Sequence, residues 1–491
     1  MVTSRAVNRL FAQEAETFAE SSTPTVSESP AISPQIQQQL KAIGVAQVIV
    51  VLKPTVATRS VATRLSAAAR VSAAASAATI GGLEKYFQSS ELSQRSALAK
   101  AGLSMRAGAS VTARTSVAAA PMQIFPNLGV VLGTVSREGL DGLAHDDRVA
   151  SVTGAPAFSL IWPNRVGPAR LSRQTTWGLD LLSIPTLWKQ GLSGKGIRVA
   201  HLDTGVDGRH PALKKAIAAF AQMDDYGVRI QPDPVPFDSD EHGTHTAGTI
   251  AGRAVQGKYI GVAPGAELCS AMVIEGGDAV ARVLGGIDWA LDQDIRVLSM
   301  SLGFRGWLED FIPIVQILRK RNVLPVMAVG NEGPGTSRSP GNYAEVLSVG
   351  AIDDKKQVAD FSSSQRFLRN EDPVVPDLVA PGVNIISARP SNRYQSMDGT
   401  SMATPHVAGL AALLFEAAPK ATIDQVEDAI FKSCHANGIP PDRGNHGIPD
   451  PVLAFKQLTG IDPVVPASSK RVSEKKQPTT RSRSGKKKGK G

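Results

Sequence analysis

Short apolar runs alternate with amphipathic segments over the second half of the chain. The runs that resemble buried strands, rich in Val, Ile and Leu, are residues 197–202, 297–300, 323–329 and 346–349. The segments with a helical pattern are residues 278–290, 311–321 and 404–418. This alternation predicts an α/β domain with a mostly parallel central sheet flanked by helices. We assign it residues 177–460.

The first part of the chain carries a second, smaller pattern. Residues 1–44 are rich in Ser, Thr, Pro, Gln and Glu, a composition that buries little apolar surface and predicts a loose segment. Strand-like runs at 47–52, 129–135 and 149–152 and a helical stretch at 137–144 then predict a small α+β unit. We place this unit at residues 45–160, with an Ala-rich insertion, followed by an exposed linker at 161–176.

Composition and charge add little to this outline. Hydrophobic residues make up 42% and charged residues 20% of the chain, which is typical of a soluble globular protein. The net charge of +9 is concentrated between Lys470 and Gly491, where ten Lys or Arg face one acid, Glu474. Residues 461–491 are therefore predicted to be a disordered basic tail, and contact with a polyanion is the functional alternative.

Membrane, export and cysteine signals are weak. No apolar run is long enough to cross a bilayer, and the N-terminus lacks the apolar segment of a secretory signal, so a cytoplasmic location and non-Sec export both stay open. Cys269 and Cys434 are far apart and outside any CxxC spacing, which supports neither a disulfide framework nor a zinc site. A single bridge between them is left open.

Three polar motifs interrupt the apolar pattern. Asp203 ends a strand-like run in the sequence DTGVD, His242 opens a helix-like segment in HGTHTAGTIAG, and Ser401 precedes a predicted helix in GTSMATPHVAG. Covalent amide hydrolysis needs a hydroxyl nucleophile, a base and a group that orients the base, which Ser, His and Asp provide. A serine at a helix N-terminus also lies beside unpaired N–H groups that can hold an oxyanion. The motifs thus predict a serine hydrolase site.

A fourth motif supplies a further donor. Asn331 follows the apolar run 326–329 in the sequence GNEG, so its amide is predicted to project from a strand end toward the same region. Together the four motifs resemble those of the subtilisin-like serine proteases (subtilases, peptidase family S8), in the chain order Asp, His, Ser that distinguishes subtilisin from chymotrypsin and the α/β-hydrolases. The resemblance covers roughly residues 177–460. It implies that Asp203 orients, His242 is the base, Ser401 the nucleophile and Asn331 the oxyanion donor of a serine endopeptidase.

The resemblance extends to substrate binding and to inhibition. It implies that Ser301, Leu302 and Gly303 pair with an extended substrate backbone, while Glu275, Gly276 and Gly277 form the facing strand, so that protein or peptide substrates lie between them. The small unit resembles, more weakly, the ferredoxin-like inhibitory prodomain of the family (inhibitor I9). This implies a proenzyme whose own prodomain is an intramolecular inhibitor, with a cut between Leu160 and Thr176.

The chain departs from the family at the strong calcium site of subtilisins. The two ligand positions correspond to Ala212 and Val255, which lack oxygen ligands, so no cofactor or obligatory metal is predicted, although a weaker calcium site is possible. His245 and His406 lie at positions that are structural in the family. Arg338 is interpreted either as a solvated loop residue or as a wall of the pocket for the residue before the cut.

Two alternatives to a general endopeptidase stay open at this point. The first is a catalytically silent binding protein on the same scaffold, attached to polyanions by the tail. The second keeps the chemistry but limits it to self-maturation or to one cut in one partner.

Overall fold

The computed structural model describes residues 33–53, 81–88, 122–275, 279–369 and 372–463. The basic tail beyond residue 463 lies outside these ranges, as do Gly276 and Gly277 and most of the Ala-rich insertion. The elements of the small N-terminal unit are α1 (Pro34–Ile43), β1 (Ala46–Leu52), β2 (Met122–Phe125), β3 (Val130–Val135), α2 (Arg137–Ala144) and β4 (Val149–Gly154).

The remaining elements follow in chain order. Up to the middle of the large domain they are β5 (Ser159–Leu160), β6 (Arg165–Ala169), α3 (Trp177–Leu181), α4 (Ile184–Lys189), β7 (Arg198–Asp203), β8 (Ile217–Gln222), α5 (His242–Ala251), β9 (Glu267–Met272), α6 (Ala279–Leu291), β10 (Val297–Met300) and β11 (Leu302–Arg305). Beyond it they are α7 (Ile312–Lys320), β12 (Leu324–Ala328), β13 (Arg338–Ser339), β14 (Leu347–Ile352), β15 (Gln365–Arg366), β16 (Val374–Val375), β17 (Leu378–Pro381), β18 (Ile385–Arg389), β19 (Arg393–Asp398), α8 (Thr400–Ala417), α9 (Ile423–Ser433), α10 (Pro441–Gly444) and α11 (Pro451–Thr459).

The large domain is built on a seven-stranded sheet in the order β17-β14-β12-β10-β7-β9-β8, in which every neighbouring pair is parallel. The predicted α/β architecture with a parallel sheet is therefore confirmed. Strands β7, β10, β12 and β14 overlap the four runs predicted from the sequence, and β10 has the same bounds. Both faces of the sheet are covered by helices, which is why these strands read as continuous apolar runs.

Helix α8 is the central helix of the domain, and its residues Thr400–Phe415 are buried. The sequence placed its start at Thr404, but the helix begins at Thr400, so Ser401 lies inside the first turn rather than before the helix. Proline is tolerated in the first turn of a helix, so Pro405 favours a predicted start at Thr404, whereas in the structure it lies inside the helix. Proline lacks an N–H to bond the carbonyl four residues earlier, that of Ser401, and Ser301 Oγ donates to this carbonyl instead, at 3.4 Å.

The small unit is a four-stranded antiparallel sheet in the order β2-β3-β1-β4. One face packs on α1 and α2 around side chains such as Ile36, Val48 and Leu143. The other face, which includes Ile49 and Leu132, joins a core that is shared with the large domain. The sheet thus has two buried faces, which explains the unbroken apolar run of β1.

Two buried carboxylates of the large domain bind backbone N–H groups of the small unit. Asp288 Oδ1 accepts from Leu128 N at 2.9 Å, and Asp310 Oδ1 accepts from Gly154 N at 2.5 Å. Burial raises the pKa of Asp288 to about 7. These bonds satisfy backbone groups that the shared core would otherwise leave unpaired.

The segment after β4 is less exposed than the sequence indicated. Ile161 is fully buried, and β6 pairs with β19 in an antiparallel three-stranded sheet with β18. The predicted exposed linker therefore contains a strand. Its lack of apolar periodicity reflects an edge strand of mostly exposed or half-exposed residues, which needs only backbone partners.

Candidate active site

Asp203 and His242 meet at the carboxyl end of the parallel sheet. Asp203 is the last residue of β7, and His242 is the first residue of α5. His242 Nδ1 lies 2.7 Å from Asp203 Oδ1, and both side chains are buried. The second carboxylate oxygen, Oδ2, accepts from Thr246 Oγ1 at 3.1 Å. The structure thus brings together two of the four residues that the motifs singled out.

The approach of α5 to the end of β7 depends on two glycines. Gly205 has a φ of 114°, which favours glycine, and it turns the chain directly after the aspartate. A Cβ on Gly243 would lie 2.1 Å from the carbonyl oxygen of Gly205, so any side chain there would push the helix away. The conspicuous glycines of DTGVD and HGTHTAG are therefore requirements of this contact.

Acidic side chains hold the first turn of α5. Asp240 Oδ1 accepts from His242 N at 3.1 Å, and Asp238 Oδ2 accepts from Thr244 N at 2.6 Å. Burial raises the pKa of Asp238 to about 6. Carboxylates bind the orphan N–H groups of a helix start and interact favourably with its dipole. They fix the backbone that carries His242.

The protonation of the Asp203–His242 pair follows from its environment. Burial disfavours ionised Asp203, but the adjacent His242 outweighs burial and holds the pKa of Asp203 below its ordinary value. Burial also disfavours the imidazolium of His242, but Asp203 outweighs burial again, and the pKa of His242 lies above its ordinary value. An imidazole made more basic in this way is suited to accept a proton.

Ser401 lies in the first turn of α8, which packs against α5. Its hydroxyl donates to the backbone carbonyl of Ile161 at 2.9 Å, and His242 Nε2 has no hydrogen-bond partner in the described part of the chain. The serine hydroxyl is therefore turned toward the segment between β5 and β6. The hydrogen bond between Ser401 and His242 that the triad would use is absent among the described contacts.

Asn331 lies just beyond the end of β12 and contacts Thr400, the residue before Ser401. Its side-chain oxygen accepts from both the backbone N and the hydroxyl of Thr400, each at 2.9 Å. This fixes the amide so that Nδ2 points the other way and donates to the carbonyl of Trp162 at 2.8 Å. The sequence did not single out Thr400 for this role, although its place directly before Ser401 was a usable signal.

A family comparison agrees with this geometry. The subtilase family model matches residues 194–454, more than half of the chain. The chain belongs to the subtilase family. It is therefore a serine-type protease.

The subtilase resembles several curated bacterial proteases. It is 37% identical to the major intracellular serine protease of Bacillus subtilis over 48% of this chain and 74% of that protein. It is 32% identical to a thermostable alkaline protease of Halalkalibacterium halodurans over 65% of this chain and 82% of that protein. It is 36% identical to subtilisin Savinase of Lederbergia lenta over 54% of this chain and 94% of that protein.

The predicted substrate strand of the subtilase is occupied by its own chain. Strand β11 pairs antiparallel with β5, so that Leu302 lies opposite Leu160 and Gly303 opposite Ser159. Ile161 N adds a bond to Ser301 O at 3.2 Å. Of the predicted facing strand, Glu275 accepts from Gln222 Nε2 at 2.8 Å, while Gly276 and Gly277 lie outside the described residues. Residues 159–162 thus lie where the resemblance places a substrate, a region called the cleft below.

Arg338 is a buried residue rather than a solvated one. It is 6% exposed, its Nε donates to Glu332 Oε1 at 2.8 Å, and its Nη1 donates to Ser159 Oγ at 3.0 Å. The ion pair lowers the pKa of Glu332 in spite of its burial. The sequence left this assignment open, because it could not show that Glu332 folds back onto Arg338.

Other residues have structural positions. His245 Nε2 is 2.9 Å from the carbonyl of Ile385, and His406 Nδ1 is 2.8 Å from that of Met402; burial lowers the pKa of His245 to about 3 and that of His406 to about 4. Cys269 and Cys434 are free thiols.

In the described ranges there is no helix long and apolar enough to span a membrane.

Proposed function

We propose that this subtilase is a serine endopeptidase in which Asp203, His242 and Ser401 form the triad. The observation that carries the proposal is the buried 2.7 Å contact between Asp203 Oδ1 and His242 Nδ1. Nε2 of the same ring has no hydrogen-bond partner among the described residues. With the carboxylate accepting the Nδ1 proton, Nε2 is the basic nitrogen. The serine in the neighbouring helix turn needs a rotation of its hydroxyl to reach it.

The reaction would proceed through an acyl-enzyme. Ser401 Oγ attacks the carbonyl carbon of the scissile bond while His242 Nε2 takes its proton, and the oxyanion accepts from Asn331 Nδ2 and from N–H groups of the first turn of α8. The imidazolium gives the proton to the leaving amine as the C–N bond breaks. Water then attacks the ester with His242 as base, which releases the acid and restores the hydroxyl.

Labelling with a fluorophosphonate tests this proposal against a silent binding protein, because only an activated serine reacts. We expect protein from which the segment before the large domain has been removed to be labelled once, on Ser401. Labelling should be blocked by His242→Ala, whereas His406→Ala, at a buried histidine outside the triad, serves as the matched control. A folded protein that is never labelled would contradict the proposal. Digestion of casein is a separate test, because a general protease degrades it and a protease with a single target does not.

We also propose that the chain is a self-inhibited proenzyme. The strand order of the small unit supports a ferredoxin-like prodomain, and residues 159–162 occupy the cleft with the carbonyls of Ile161 and Trp162 on Ser401 and Asn331. The cut would fall in residues 161–176. An extended segment that fills the substrate strand excludes other peptides from it.

Phe158 is the side chain whose loss should weaken this inhibition. It is buried and makes edge contacts with Phe304 and Phe311, at centroid distances of 5.2 and 4.9 Å. Truncating a buried Phe costs about 3 kcal/mol or more. If this cost falls on the contact between the small unit and the large domain, the equilibrium constant for their association drops on the order of 100-fold. We expect full-length Phe158→Ala to hydrolyse a chromogenic peptide at an initial rate at least about tenfold above wild type. Ile124→Ala, at an exposed residue of the same unit, is the control, and equal initial rates would contradict the proposal.

Two further expectations from the sequence stay proposals. The two positions that bind the strong calcium ion in subtilisins correspond to Ala212, which lies in the core, and Val255, which packs against the core. Neither side chain has an oxygen ligand, which supports a subtilase that needs no calcium at that site. The tail lies outside the described residues. Its run of lysines and arginines supports salt-sensitive binding to a polyanion.

A further inference from the structure

A second histidine lies behind the Asp203–His242 pair. His201 precedes Asp203 by two residues on β7, so both side chains project from the same face of the strand. His201 is 1% exposed, and burial lowers its pKa to about 4, so it is neutral near pH 7. A buried polar ring in a sheet core needs partners for both nitrogens.

Both partners of the ring are hydroxyl groups. Nδ1 lies 3.0 Å from Ser270 Oγ, on the neighbouring strand β9, where Ser270 is directly opposite His201. Nε2 lies 2.8 Å from Thr246 Oγ1, on α5. The direct separation between Nε2 and Asp203 Oδ2 is 3.7 Å, too long for a hydrogen bond. The ring therefore reaches the aspartate through the threonine.

The carboxylate of Asp203 can only accept, so Thr246 is the donor in the hydrogen bond between them. Thr246 Oγ1 lies 3.1 Å from Asp203 Oδ2, but also 3.2 Å from the carbonyl of His242 and 3.1 Å from that of Gly243. If His201 carries its proton on Nε2, it donates to Thr246 and leaves the threonine proton for an oxygen acceptor. Ser270 then donates to Nδ1. In this arrangement every donor points toward Asp203, and successive bonds strengthen one another.

We propose that His201 is a positioning residue of the active site. Held by Ser270, it directs the Thr246 hydroxyl onto Asp203 Oδ2, which fixes the plane of the carboxylate and disperses its charge. Asp203 Oδ1 meanwhile binds His242 and the backbone N of Thr204, at 2.8 Å. The proposal rests on the role of Asp203 in the proposed function, and it adds a relay of three side chains behind it.

Kinetics of the mature enzyme with a peptide anilide test the relay. His201→Val removes the group that directs the Thr246 hydroxyl, which can then turn from Asp203 to the carbonyls of His242 and Gly243. We expect kcat to fall about tenfold, the effect of losing that one hydrogen bond to a charged group, with KM within about twofold. A carboxylate that has lost a donor holds more charge near the imidazolium. The acid limb of kcat/KM, which reports His242, should therefore move to higher pH.

Other ionisable groups face the pair and are unchanged in each variant. They are Asp238 and Asp240 before α5 and His245 on it, of which Asp238, with its pKa of about 6, also titrates near this limb. Because these groups are present in every variant, their own titration is common to all of them, and the displacement between variants measures the change that starts at His201. The limb is to be compared at constant ionic strength, because surface charges are screened by salt.

A conservative variant separates positioning from packing. The amide nitrogen of His201→Gln can take the place of Nε2 as donor, so we expect kcat within about threefold of wild type and an unmoved limb. Ser270→Ala, which frees Nδ1, should lower kcat in the same direction as His201→Val but less. A purely structural role would lower the melting temperature in all three without moving the limb.

The outcomes are distinct from those that bear on the proposed function. Wild-type kcat and limb in folded His201→Val, or full activity in Ser270→Ala, would overturn the relay while the triad stands. An equal loss in His201→Gln and His201→Val would also overturn it. Failure of the wild-type enzyme itself to hydrolyse the anilide would instead refute the proposed function.

Discussion

Ser401→Ala is expected to remove peptide hydrolysis, with a fall in kcat on the order of 10⁶-fold, which is the value known for subtilisin rather than one derived from this geometry. The reason is that the variant has no oxygen to form the acyl-enzyme, so the basicity of His242 has no nucleophile to act on. Burial of the new methyl group at this position is compatible with the first turn of α8. Steady-state rates with a peptide anilide, together with the length of the purified chain, provide the measurement.

Ser387→Ala is a matched control for this experiment. Ser387 is also a fully buried serine, and its hydroxyl has no hydrogen-bond partner in the described residues. It should keep the wild-type rate and the wild-type pattern of self-processing. Turnover by the Ser401 variant at a rate near that of the control would show that another group is the nucleophile.

Asn331→Ala is expected to lower kcat by about 10²- to 10³-fold with little change in KM, again the magnitude known for subtilisin. Nδ2 donates to the carbonyl of Trp162. In the proposed mechanism the scissile carbonyl, on which charge develops in the transition state, takes the place of that carbonyl. A donor aimed there contributes to the rate more than to ground-state binding. Initial rates over a range of substrate concentrations separate the two parameters.

Thr400→Ala tests how Asn331 is held. The variant keeps the donor but loses the hydroxyl that binds Oδ1, while the backbone N of Thr400 still binds it. The expected loss in kcat is smaller, about tenfold or less, because one of the two hydrogen bonds that hold Asn331 remains.

An Asn331 variant in which KM rises and kcat is unchanged would assign the amide to substrate binding instead.

The sequence predicted the parallel sheet because its strands are buried on both faces and read as unbroken apolar runs. It also predicted which side chains lie at the carboxyl end of that sheet, since Asp203 and Asn331 each follow such a run. It could not predict how they are held. The bonds from Thr400 to Asn331 and from Asp240 to the start of α5 are made between segments far apart in the chain, or by small polar residues that any loop contains.

The segment between Ile161 and Ala169 was the least predictable. It has no apolar period, so the sequence indicated exposure, whereas the structure seats it through backbone hydrogen bonds to β11 and β19. Hydrogen bonds between backbone groups can be made by almost any residue type, so they are not visible in the sequence. The same limitation applies to His201, whose place in an apolar run gave no sign that it faces Ser270 and Thr246.

Strands β5 and β6 belong to different sheets, since β5 pairs with β11 and β6 pairs with β19. Hydrolysis of a bond between them would therefore leave both new ends in place, each retained by its own ladder of hydrogen bonds. The severed fragment would leave only when the shared core around Ile49 and the bonds to Asp288 and Asp310 also separate. Activity would then appear after two steps, the cleavage itself and the dissociation of the noncovalent complex that cleavage leaves. The slower of these two steps would determine the lag before activity is seen.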